Sequence, residues 1–117
     1  MQEIKILEIP PTQNDFRRMH HFHIAKEKRK WEWLVQFEVK AQKITPMQKV
    51  KVIYEFHFKD NRRRDADNYS TACKFIQDGL VKAGILQDDN FDIVTELTIR
   101  RGESHKNPYI MIFLEES

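Results

Sequence analysis

Four aspartates carry the chemistry that this sequence suggests. Asp65 and Asp67 stand two residues apart in the segment NRRRDADNYSTACKFIQDGLVKAGILQDD (residues 61–89), directly after Arg62, Arg63 and Arg64, and Asp88-Asp89 close it. Residues i and i+2 of an extended stretch share a face, so Asp65 and Asp67 are expected to converge on one point. Carboxylate oxygens suit a hard divalent ion that keeps some of its waters, Mg²⁺ first and Mn²⁺ in its place. Between the two acidic pairs, Asp67, Ser70 or Thr71, Lys74 and Asp78 recur every three or four residues and so share one helix face. An ammonium group at Lys74 can stabilise charge developing on a phosphodiester oxygen, or hold a phosphate. The same residues also make ordinary structure, the DxD as a turn or helix cap and Lys74–Asp78 as a surface pair.

The elements that must position these side chains are legible around them. Lys49–Phe58 alternates as a strand with Val50, Val52, Tyr54, Phe56 and Phe58 on one face. Asn68–Ala83 is expected to be a helix whose apolar stripe is Tyr69, Ala72, Ile76, Leu80 and Ala83, with Asp67 or Asn68 as N-cap and Gly84 at C′. Phe91–Arg100 and Pro108–Glu115 alternate as two closing strands around the turn-rich RGESHKN. If the strands flanking the acidic segment are neighbours, the two carboxylate pairs meet at one end of the sheet. Upstream, Glu3–Ile9 is a short strand stopped by Pro10-Pro11, and Thr12–His23 reads as an ordered loop or arm. Lys26–Gln42 sends conflicting signals. Its apolar residues alternate as in a strand, yet it is rich in Lys, Glu, Ala and Gln and too long for a strand, so helix is expected. The order β-α-β-α-β-β predicts an α+β fold, one domain over residues 1–117, with a mixed sheet of about four strands and two helices packed on it.

A chain of 117 residues suits one domain, and 40% apolar residues suit a packed core. A single cysteine, Cys73, excludes a disulfide framework and a Cys-rich zinc site. With no apolar run of membrane length and an acidic N-terminus unlike a signal peptide, no membrane association and a cytoplasmic setting are expected. The net charge of +2 hides an uneven distribution: residues 1–16 carry −2, residues 17–64 carry +9, and residues 65–117 carry −5. A basic middle beside an acidic half suits a surface that holds a polyanion next to a carboxylate cluster, although uneven solvation of different faces gives the same pattern.

The motif block resembles a known family. Arg62-Arg63-Arg64-Asp65-Ala66-Asp67-Asn68, Lys74, Asp78-Gly79-Leu80, Lys82-Ala83-Gly84 and Asp88-Asp89 are similar to the RusA family of Holliday-junction-resolving endodeoxyribonucleases of bacteria, prophages and phages. Pro10-Pro11 with Asn14 resembles the family's proline-then-asparagine opening, and the remaining elements come in the family's order. The resemblance implies Asp65, Asp67 and Asp89 as essential carboxylates and metal ligands, their neighbour Asp88 as a further metal ligand, and Lys74 as the catalytic lysine. The interval from Asp67 to Lys74 is seven residues, about one helical turn longer than in the family's best-known member, which moves the lysine about 5 Å along the axis on nearly the same face. It further implies an Mg²⁺-dependent hydrolase for four-way junctions, acting as a homodimer in DNA recombination and repair. Arg62, Arg63 and Arg64 would hold phosphates beside the metal, one or two of them on DNA and the remainder on acids. Arg17, Arg18, Lys26, Lys28, Arg29 and Lys30 would make the wider footprint.

Other residues draw plainer readings. His20-His21-x-His23 lacks a nearby Cys or acid to complete a ligand set and reads as a solvated or DNA-facing arm. Trp31 and Trp33 suit either stacking on bases or packing, with packing expected for at least one. Cys73 reads as a small packing residue, and His57 has no assigned role. Two alternatives stay open: a non-catalytic DNA-binding protein on the same fold, and a nuclease for flaps or forks.

Overall fold

The computed structural model describes residues 1–117. Its elements are β1 (Gln2–Ile6), α1 (Gln13–Arg18), α2 (His21–Ala41), β2 (Val50–His57), a 3₁₀ turn (Ala66–Tyr69), α3 (Ser70–Lys82), β3 (Val94–Arg101) and β4 (Tyr109–Glu116). The expected mixed sheet is present, in the order β1-β4-β2-β3. Strands β1 and β2 both pair antiparallel with β4, while β2 and β3 run parallel. Alternation sends Ile4, Ile6, Val50, Val52, Tyr54, Phe56, Ile110, Ile112 and Leu114 into the core beneath the helices.

The segment expected to be a loop over Thr12–His23 is helical. Thr12 caps α1 through a reciprocal box, its hydroxyl accepting from the Asp15 amide while the Asp15 carboxylate accepts from the Thr12 amide. His20 then caps α2, its Nδ1 accepting from the Phe22 amide. Periodicity missed both because neither helix start buries an apolar stripe; the caps themselves were the signal.

The helix expected over Lys26–Gln42 is α2, starting five residues earlier. Trp31, Val35 and Val39, at i, i+4 and i+8, are its buried residues. Trp33 and Phe37, which made the run look strand-like, stand in solvent. Helix α3 begins at Ser70, two residues later than expected, because Ala66–Tyr69 forms a 3₁₀ turn ahead of it. Neither Asp67 nor Asn68 is its cap: Tyr69 holds that position without a side-chain bond, and Asn68 accepts instead from the Asn14 amide of α1. Gly84 does take the C′ position with φ 78°. Its amide donates to the Val81 carbonyl and that of Ile85 to the Leu80 carbonyl, closing a Schellman motif. Strand β3 starts at Val94 rather than Phe91, since residues 91–93 form a turn whose Ile93 and Val94 amides donate to the Asn90 carbonyl.

Helices α2 and α3 meet at Gly79, where an added Cβ would lie 2.6 Å from Cβ of Val35. Intrinsic helix propensity favours Gly79→Ala by about 1 kcal/mol, whereas forcing the two helices apart costs about 1–3 kcal/mol. We expect a lower melting temperature for Gly79→Ala; thermal unfolding followed by circular dichroism checks it.

Candidate functional site

The segment between β2 and α3 is built by two arginines. The Arg64 guanidinium donates to the carbonyls of Asp60 and Arg62, pairs with the Asp60 carboxylate at 3.1 Å, and lies 4.3 Å over the ring of Phe58. Arg101, reaching in from β3, donates to the same two carbonyls at 2.9 and 3.0 Å. The Asp60 carboxyl also accepts from the Arg62 amide, and that bond, with the Arg64 guanidinium, holds it below the usual carboxylate range. Arg62 and Arg63 are left in solvent, the Arg62 side chain 84% exposed with only a 3.5 Å approach to Asp60. One of the three consecutive arginines is therefore consumed by the loop, and two stay exposed.

Asp65 comes next, in extended conformation at the head of the 3₁₀ turn, with Asp67 in its first turn. Both are exposed, and neither carboxylate accepts a hydrogen bond or enters an ion pair. Tyr69 fixes the turn from below, its ring 5.1 Å from those of both Phe56 and Phe58.

The four aspartates are not drawn into a single group of three or more acids, as the neighbouring strands had suggested. β2 and β3 are indeed neighbours, but they are parallel, with Val50 opposite Val94 and Phe56 opposite Arg101. The segment leaving β2 and the one entering β3 therefore lie at opposite ends. What draws Asp89 back along α3 is Lys74, whose ammonium hydrogen-bonds Asp89 and pairs with Asp78 at 3.0 Å. The Lys74 bond is the main reason the Asp89 carboxyl is held below its usual range, and Asp89 in turn raises Lys74. Asp88 is spent on the turn, one oxygen accepting from the Asp89 amide and the other from the Asn90 side chain. Lys74, Asp78 and Thr71 also border a hollow of about 200 Å³ into which α2 contributes Lys28.

No three acidic or imidazole groups of this chain are gathered closely enough to enclose an ion. The donor chemistry nevertheless suits a hard divalent cation: Asp65 and Asp67 are two unpartnered carboxylates two residues apart, and Asp89 is a third whose present counter-ion is the ammonium of Lys74. Asp65, Asp67 and Asp89 are the carboxylates that would hold such an ion.

Of the wider footprint, Arg17 and Arg18 close α1 in solvent, and Lys26 and Arg29 are exposed on α2. Lys30 is paired with Glu8 instead. Trp31 is fully buried. Cys73 is buried as well, which pushes its thiol up to about 12 and leaves no thiolate for nucleophilic chemistry. The three histidines of the arm, His20, His21 and His23, stack on one another or on Phe22 and meet no acid. His57 has a structural part: it is buried between the Glu55 carboxylate and the Glu103 carbonyl, both at 2.7 Å, and stacks on Tyr109. Burial alone would raise Glu55, but the bonds from His57 and Arg100 outweigh it and hold that carboxyl low. Sequence reasoning missed Asp60, Arg100 and Arg101, whose roles depend on strand pairing. The one local signal was Asp60 four residues before Arg64.

A family model described as "Endodeoxyribonuclease RusA" matches residues 8–115, nearly the whole chain. No curated protein matches the sequence.

The Lys74–Asp89 pair has a pH signature. Asp89 is depressed, so its contribution to stability is complete above the usual carboxylate range and is lost as pH falls through the folded value. Lys74 is raised, so its contribution is complete below the usual lysine range and is lost as pH rises through the folded value. Lys74→Met should raise the titration midpoint of Asp89, read by carboxyl ¹³C NMR. The stability gap between wild type and Lys74→Met should be widest at neutral pH and close at acid pH.

Proposed function

Because the chain belongs to the RusA family of endodeoxyribonucleases, we propose that it is a metal-dependent nuclease that binds and cuts branched DNA, four-way junctions above all, during recombination and repair. The observation that carries this reading is the pair of free carboxylates, Asp65 and Asp67, standing directly after two exposed guanidinium groups, Arg62 and Arg63. Acids beside a phosphate repel it unless a cation stands between them, and a purely DNA-binding surface gains nothing from the pair. Divalent metal ions are the cations on which this family's nucleases depend.

When bound, a Mg²⁺ or Mn²⁺ ion supplies an acidified water and positive charge at the leaving oxygen. Asp65 and Asp67 would provide its oxygen ligands, and Asp89, now held by Lys74, would be a third. Arg62 and Arg63 take the phosphates flanking the scissile bond, each planar fork able to bond two oxygens while staying charged. Arg64 and Arg101 brace the loop, so the two exposed guanidinium groups and the two carboxylates are presented from one short segment. Lys74, bonded to Asp89 and paired with Asp78, would act first as a positioning residue for Asp89 and would offer its ammonium to negative charge on phosphate. Two copies of the chain, related by a two-fold axis, suit a junction with two symmetry-related scissile phosphates.

A synthetic four-way junction beside a linear duplex of matched sequence, each with and without Mg²⁺, tests the reading: metal-dependent cleavage of the junction alone is expected. Cleavage of flaps or forks at equal rate would move the substrate class, and no cleavage of any branched substrate would sink the nuclease. Asp65→Asn should abolish cutting while junction affinity is kept or tightened, because repulsion of the backbone is relieved. Calorimetric titration with Mn²⁺ should show binding that Asp67→Asn loses. Replacing Arg62 and Arg63 with alanine should weaken junction binding across sequences and flatten the dependence of log K on log salt by about one unit per lost phosphate contact. Melting should hardly change in that variant, whereas Arg64→Ala should lower the melting temperature by releasing the loop.

A further inference from the structure

We propose that the outward face of α2 is a stacking surface for unpaired DNA bases, distinct from the carboxylate site. A helix turns about 100° per residue, which places Phe22, Lys26, Arg29, Trp33, Phe37 and Lys40 within about 40° of one line along α2. Its three acids, Glu27, Glu32 and Glu38, fall about 100° or more away from that line. All six residues of the stripe are exposed, and Lys26, Arg29 and Lys40 enter no ion pair. The buried face, Trp31, Val35 and Val39, is on the opposite side, so the stripe contributes nothing to the core.

The aromatic members are costly to leave in water. Trp33 is 65% exposed and Phe37 55%, and their rings stack on each other with centroids 5.6 Å apart and planes 18° from parallel. Large flat rings held in solvent between unpaired cations have the composition of a single-strand binding platform. The rings take nucleobases on their faces whatever the sequence, and the cations take the phosphates between them. A second copy of the chain suits the stripe less well, because two-fold pairing would press Lys26, Arg29 and Lys40 against their own counterparts. Branched DNA exposes unpaired or unstacked bases where its arms open. The surface rests on its own observations and holds whether or not the carboxylate site cuts.

Metal-free protein titrated with oligodeoxythymidylate, and separately with blunt duplex of equal length, tests the proposal. Trp31 is fully buried and Trp33 exposed, so ligand-dependent quenching of tryptophan emission reports on Trp33. Saturable quenching by the single strand, and less by the duplex, is expected. Anisotropy of a labelled oligodeoxythymidylate should show Trp33→Leu and Phe37→Ala each weakening binding about fivefold or more, while Trp33→Phe keeps most of the affinity. Unchanged melting would establish that the variants fold. Single-strand affinity unaffected by Trp33→Leu overturns the proposal. So does equal quenching by duplex, or quenching that tracks protein concentration without DNA, which would make the stripe an interface between copies of the chain.

Discussion

Parallel pairing of β2 with β3 is the constraint around which this molecule is arranged. Two parallel neighbours cannot be joined by a hairpin, so the chain must cross the sheet, and α3 is the element that makes the crossing. A crossover carries the chain from one end of the sheet to the other, so the segment leaving β2 and the segment entering β3 start from opposite ends. The helix that imposes the separation also offsets it. Lys74, on the first turns of α3, holds Asp89 from the far side, so a carboxylate that topology sends away is returned by one ammonium group. In that sense the charge on Lys74 is part of the topology as well as part of the chemistry.

Most of the architecture could be read from the residues because the physics there is local. The alternation of β2, the stripe and glycine stop of α3, and the β-α-β-α-β-β order are all short-range patterns. Where expectation and structure part, a non-local or capping interaction is responsible. The arm at 12–23 is helical through two side-chain caps, and Asn68 is taken from α3 by the backbone of α1. The ambiguous run in α2 is instructive, since its strand-like alternation came from two rings that the fold leaves outside.

The candidate site was legible to a similar degree. Asp65, Asp67 and Lys74 stand out by type and spacing. Which of the adjacent arginines is free does not, because it depends on Arg101 arriving from a strand 37 or more residues later. Arg64 and Arg101 bind the same two carbonyls, so the loop is braced from both flanks and the guanidinium groups divide into scaffold and ligand. Adjacent residues of identical chemistry thus receive opposite roles, and only the tertiary pairing distinguishes them.

The strand order has a consequence for how the molecule comes into being. β4, the strand synthesised last of the four, lies between β1 and β2, and pairs Gln2 with Leu114 at one edge while it pairs Val50 with Glu116 at the other. Until it emerges, β1 has no neighbour and β2 lacks one of its two partners, so neither can close the apolar layer under the helices. The loop that carries Asp65 and Asp67 is anchored on β2, and its brace Arg101 comes from β3. A nascent chain therefore carries all four aspartates well before it has a sheet to hold them. Contacts this distant in sequence are slow to form, so the sheet beneath the helices closes only after β4 has been made.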